Sequence, residues 1–122
     1  MKKPKVYIAG PMRGLPDFNY PRFNACAATL REIGWHVVNP AEIGAYYGTP
    51  EQINADPALL AAVVSAELHA LKKCDAIFLL EGWNESVGAK QELAAALAAR
   101  LKVYVWPKIV IPLTRIEPQE KP

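Results

Sequence analysis

The chain has 122 residues, 52% of them apolar and 21% charged, with 14 basic and 12 acidic side chains and a formal net charge of +2. That length supports one domain with a single core and excludes two. The charges form no basic stripe and the apolar runs fall well short of a bilayer, so neither a nucleic-acid polymer nor a membrane is an expected partner.

Met1-Lys2-Lys3-Pro4 leads at once into a strand-like segment, a start that does not fit a signal peptide and suits a cytoplasmic protein. Lys5 to Ala9 (KVYIA) is β-branched and aromatic and stops at Gly10-Pro11. Phe23, Ala27, Leu30 and Ile33 recur at helical spacing, so a helix is predicted over 21–33, with Pro21 in its first turn and Gly34 just past its end. Trp35 to Val38 reads as a short strand ended by Asn39-Pro40. Residues 41–55 carry Gly, Tyr and Pro without a period and read as a long functional or mobile loop. Asp56 as N-cap and Pro57 at the first helical position open a second helix, running to about Lys73. Asp75 to Leu80 is a continuous apolar run, the pattern of a central parallel strand covered on both faces. A third helix is predicted over Gly88 to Arg100 and a further strand over Lys102 to Trp106, while Lys108 to Leu113 is a candidate short edge strand. Residues 1–113 thus form one α/β domain, and 114–122, rich in Pro and charge, form a flexible tail.

Alternation of this kind predicts an open parallel α/β sheet of four to five strands with helices on both faces. Ligands of such sheets bind outside the carboxyl ends of the strands. The rule points to three loops: GPMRG (10–14), NP (39–40) and EGWNES (81–86). Cys26 and Cys74 lie far apart in helix-like segments and read as small buried residues in a reducing compartment. His36 and His69 are not at ligand spacing, so no metal site is expected.

In the second helix Leu60, Val63, Val64, Leu68 and Leu71 gather on one stripe, and Glu67 falls near its middle. A carboxylate there is costly unless it is ion-paired, protonated or facing a cleft. In the third helix Ser86 can act as N-cap, and Gly88 lets a ligand approach the first-turn amides, an anion site in the making. Glu92 follows one turn later on the same face among alanines, either as a surface helix former or as a reacting group. In GPMRG the backbone amides and Arg13 can hold a phosphate or carboxylate, or form a tight turn with a solvated Arg. The third helix is apolar nearly all round, which suits burial on two sides, the second of them by another subunit.

These residues resemble the nucleoside 2-deoxyribosyltransferase-like superfamily. The shared pieces are VYIAGPMRG (6–14), ELHALKKCDAIFLL (67–80) and SVGAKQE (86–92), with the spacing Ser-x-Gly-x-x-x-Glu the most specific. YIAGPMRG, then NP, then LLEGWNESVGAKQE is most similar to an uncharacterised branch often encoded by phages or prophages. The resemblance implies a flavodoxin-like sheet, homodimers or higher oligomers that share active sites, and no cofactor. It makes Glu92 the nucleophile, which attacks the anomeric carbon of a nucleoside or nucleotide, expels the base and forms a glycosyl ester that water or an acceptor base resolves. Branches acting on 5′-monophosphates carry Ser at the position of Ser86, so the resemblance implies a phosphate held by Ser86, Gly88 and the loop of Gly10, Met12, Arg13 and Gly14.

The family places an Asp eight residues before the Asp that opens the third strand, and here that position is Glu67. The longer side chain keeps the acid and displaces it by about one bond length or more. An apolar setting is expected to raise the pKa of Glu67, and a helix N-terminus to keep Glu92 ionised. Tyr7 and Trp83 are candidates to orient sugar or stack on base, or else ordinary core aromatics, and Asn39 stands at the end of the second strand. The expected activity is hydrolysis of the N-glycosidic bond of a nucleoside 5′-monophosphate, with base-exchange transfer and non-catalytic nucleotide binding as the alternatives.

Overall fold

Among the described residues four parallel strands, β1 (Lys5–Ala9), β2 (His36–Val38), β3 (Ala76–Leu79) and β4 (Lys102–Val105), lie in the order β2-β1-β3-β4. The computed structural model describes residues 3–112, so Leu113 and the expected tail at 114–122 lie outside the described residues. Among the described residues five α-helices connect and cover the strands: α1 (Tyr20–Glu32), α2 (Pro40–Tyr47), α3 (Pro50–Ala55), α4 (Pro57–Leu71) and α5 (Val87–Ala98). This is the expected open parallel α/β sheet, in the strand order of flavodoxin-like folds.

The pleat sorts each strand between two cores. Val6 and Ile8 of β1 join Ala76 and Phe78 of β3 against Phe23, Ala27 and Leu30 of α1. Tyr7 and Ala9 join Ile77 and Leu79 against Leu71 of α4 and Ala89 and Ala96 of α5. Because β1 from Val6 onward and all of β3 are buried on both faces, those residues are apolar. Phe23 is fully enclosed, so Phe23→Ala is expected to cost about 3–5 kcal/mol of stability. Both cysteines are buried and free, and burial pushes each thiol up to about 11. No described helix is long and apolar enough to cross a membrane.

Two expectations are corrected. The segment 41–55 is not a loop but carries α2 and α3. Asn39 caps α2 by accepting from the Ala41 amide at 3.0 Å, and Thr49 with Gln52 forms a reciprocal capping box on α3. Helices of eight and six residues are too short to display a period, although their caps are written in the sequence. No strand forms over 108–112. There the Val110 carbonyl accepts from Trp35 Nε1 at 2.8 Å, a side-chain donor in place of a strand partner.

Candidate active site

β1 and β3 are neighbours whose chains depart to opposite faces, β1 toward α1 and β3 toward α5. A crevice opens beyond their carboxyl ends, as it does at the switch point of such sheets. It is a cavity of about 710 Å³, lined by residues following β1, residues following β3, the stripe of α4 and the first turns of α5. That volume suits a small-molecule ligand.

Glu67 and Glu92 both line it. Glu67 projects from α4 beside Val63, Val64 and Leu68, which share the cavity wall with it. Its carboxyl has no hydrogen-bond partner among the described residues. Burial, reinforced by the nearby Glu92, pushes it up to about 8, so it holds a proton at neutral pH. Glu92 projects from the middle of α5, where its Oε2 accepts from the Tyr7 hydroxyl at 2.5 Å. Burial pushes Glu92 up to about 7, and the Tyr7 bond holds it below that of Glu67. The helix terminus does not keep Glu92 acidic as expected. Glu92 is the sixth residue of α5, beyond the first turn where the dipole acts. The Tyr7 ring is fully buried, and burial, Glu92 and Glu67 together raise its phenol well above the usual value, so it stays a donor.

Of the three glycines lining the cavity, Gly10 and Gly88 have different causes. At Gly10 a Cβ would come within 2.8 Å of Leu80 Cβ, so the packing of the two strand ends already requires glycine there. At Gly88 a Cβ would meet nothing within 4 Å, and the residue lies inside α5, where glycine weakens a helix by about 1 kcal/mol against alanine. Packing does not explain Gly88, whereas space for a ligand at the α5 amides does. Ser86 caps α5, its Oγ accepting from the Ala89 amide at 3.1 Å, and keeps its own hydroxyl proton to donate. Met12 and Arg13 line the cavity too, with Arg13 its one basic residue among those described.

Sequence reasoning missed the aromatic part of the wall. Asp17, Phe18 and Asn19 take φ of 53°, 54° and 60°, three consecutive left-handed residues without a glycine. For Phe18 this costs roughly 1 kcal/mol or more relative to a right-handed backbone, while the short polar Asp17 and Asn19 tolerate it better. Asn19 Nδ2 pins the turn by donating to the Pro11 carbonyl at 3.0 Å. Phe18 meets Tyr20 edge-on at 6.0 Å between ring centroids, and both line the cavity. The Tyr20 hydroxyl lies against Gly44 of α2, where any side chain would collide with it, and Ile53 of α3 completes this part of the wall. Thus the segment read as a loop supports the site.

Four expected residues do not line the cavity: Tyr7, which reaches it only through Glu92, and Asn39, Trp83 and Gly14. Asn39 is 2% exposed, capping α2 and donating to Asn24 Oδ1 at 2.9 Å, so its polar groups are already engaged. Trp83 sits in a short turn after β3 and packs on the core beneath α5, an ordinary core aromatic. Gly14 is a turn glycine at φ +82° with no neighbour to restrict it and does not line the cavity.

The family model described as a domain of unknown function (DUF4406) matches residues 4–105, which include every residue of the cavity, and the chain belongs to that family. No curated protein matches it.

Proposed function

We propose that this chain hydrolyses the N-glycosidic bond of a nucleoside 5′-monophosphate, by the chemistry of the nucleoside 2-deoxyribosyltransferase-like superfamily that segments 6–14, 67–80 and 86–92 resemble. The observation that carries the reading is that, of the three carboxyl groups lining one cavity, Glu85 is exposed while Glu67 and Glu92 are desolvated and differently partnered. Glu92 is aimed by Tyr7, and Glu67 is desolvated without a partner among the described residues. A nucleophile and a proton donor side by side are what a two-step glycosyl displacement needs.

In the first step Glu67 gives its proton to the base, the C–N bond breaks, and a Glu92 carboxylate oxygen bonds the anomeric carbon. In the second, water attacks the same carbon, its proton passes to the Glu67 carboxylate, and the ester C–O bond breaks to free Glu92. The Tyr7 hydroxyl holds Glu92 in one orientation and favours its ionised form. Arg13, the Ser86 hydroxyl and the α5 amides opened by Gly88 would receive the phosphate. Val87, Leu97, Val103 and Val105 are exposed around α5 and β4, which supports a second copy of the chain covering this side. Two buried free thiols suit the cytoplasm.

The test is a panel of ribo- and deoxyribonucleoside 5′-monophosphates, with free base measured by chromatography. Base release that does not require a second base supports hydrolysis, and exchange only when an acceptor base is added would assign a transferase. Ligand-induced thermal stabilisation with no base from any member would overturn the enzymatic reading in favour of a binding protein.

A further inference from the structure

The turn at Asp17–Asn19 is a feature the fold does not require. Three adjacent non-glycine residues in the left-handed region are unfavourable, yet Phe18 at their centre belongs to neither core cluster among the described residues. The arrangement instead delivers an aromatic ring to the cavity wall, edge-on to Tyr20. Strain that persists without a packing return marks a functional position. The surrounding supports are rigid, since Asn19 ties the turn to Pro11 and Tyr20 is lodged against Gly44.

The cavity divides by chemistry. Arg13, Ser86, Gly88 and Gln91 offer donors suited to a sugar phosphate. Phe18, Ile53, Leu60, Val63 and Val64 offer none and suit only a flat apolar face. Glu67 lies one helical turn from Val63, and the Tyr20 phenol is raised by burial and then by Glu67, so the proton donor borders the apolar part. Of the parts of a nucleotide, the base alone has a π face and needs that proton.

We infer that Phe18, held by the left-handed turn, is the stacking face for the leaving base, with Tyr20 at its edge, and that this pair makes the cavity select a heteroaromatic leaving group. The inference rests on the proposed function and adds a specificity-determining residue to it.

Calorimetric titration of the Glu92→Gln protein, with and without Phe18→Ala, separates the two parts of the ligand. The probes are a nucleoside 5′-monophosphate that the wild type cleaves and the matching sugar 5-phosphate without its base. Phe18→Ala is expected to weaken the nucleotide about 5- to 100-fold. It should leave the sugar phosphate within about twofold, and Phe18→Tyr should restore nucleotide binding. Should Phe18→Ala fail to fold, Phe18→Leu keeps the volume without the π face and shows the same split between ligands. Equal loss for both ligands would make Phe18 merely structural, and no loss for either would remove it from the site. Both results overturn the inference while leaving base release intact. A wild type that releases no base and binds no nucleotide would remove the proposed function and this inference together.

Discussion

The α4 wall of the cavity surrounds Glu67 with Leu60, Val63, Val64 and Leu68, and no described residue hydrogen-bonds its carboxyl. The α5 wall brings Val87, Gly88, Ala89 and Gln91 and sets Glu92 against the Tyr7 hydroxyl. Both walls desolvate the same kind of side chain and push it up, to about 8 and about 7. What separates them is a donor from the neighbouring strand at Glu92 and the charge of Glu92 acting on Glu67. Together they set which carboxyl surrenders its proton first, and so divide acid from nucleophile.

The sharpest way to break the comparison is to remove the nucleophile. Glu92→Gln keeps the shape and is expected to lower base release roughly 10³-fold or more, read by chromatography at saturating nucleotide. Glu67→Gln removes the acid and should lower kcat about 10²-fold, with the smallest losses for the best leaving bases. In the wild type kcat/KM should rise as pH passes about 7, where Glu92 ionises, and fall as it passes about 8, where Glu67 loses its proton, both being values of the coupled pair. Glu67→Gln should erase the alkaline fall.

The same shifts have a consequence for stability. A folded carboxyl raised from 4.5 to about 8 contributes stability that is complete below about pH 4.5 and lost as pH rises through 8. Melting temperature should therefore fall across that window, and Glu67→Gln should flatten the fall and gain about 1–3 kcal/mol at its upper end.

Tyr7→Phe removes the donor that distinguishes the two walls. Losing a hydrogen bond to a charged group is expected to lower kcat about 10- to 100-fold and to move the acid limb to higher pH. The smallest effect is at Gly88. Gly88→Ala should raise stability by about 1 kcal/mol in thermal denaturation, because nothing there meets a Cβ, while raising KM about tenfold by crowding the phosphate.

Glu67 was legible because a carboxylate on an apolar stripe stands out against helical periodicity. The strands were legible because burial on both faces leaves continuous apolar runs. The Tyr7–Glu92 bond was not, since its partners lie 85 residues apart and only the sheet brings the strand face to the helix. The left-handed turn left no glycine to announce it, so Phe18 carried no signal. Trp83 and Asn39 misled for the opposite reason. Their chemistry suits a site, but the backbone turns the Trp into the core and spends the Asn on a helix cap.

The central claim, a covalent step through Glu92, is tested most directly by stereochemistry. Cleavage of a β-nucleotide in aqueous methanol, followed by NMR, reads the configuration of a methyl glycoside product that cannot mutarotate. Two displacements at one carbon predict retention and the β-methyl glycoside. An α-methyl glycoside would mean direct attack by solvent and would contradict the account.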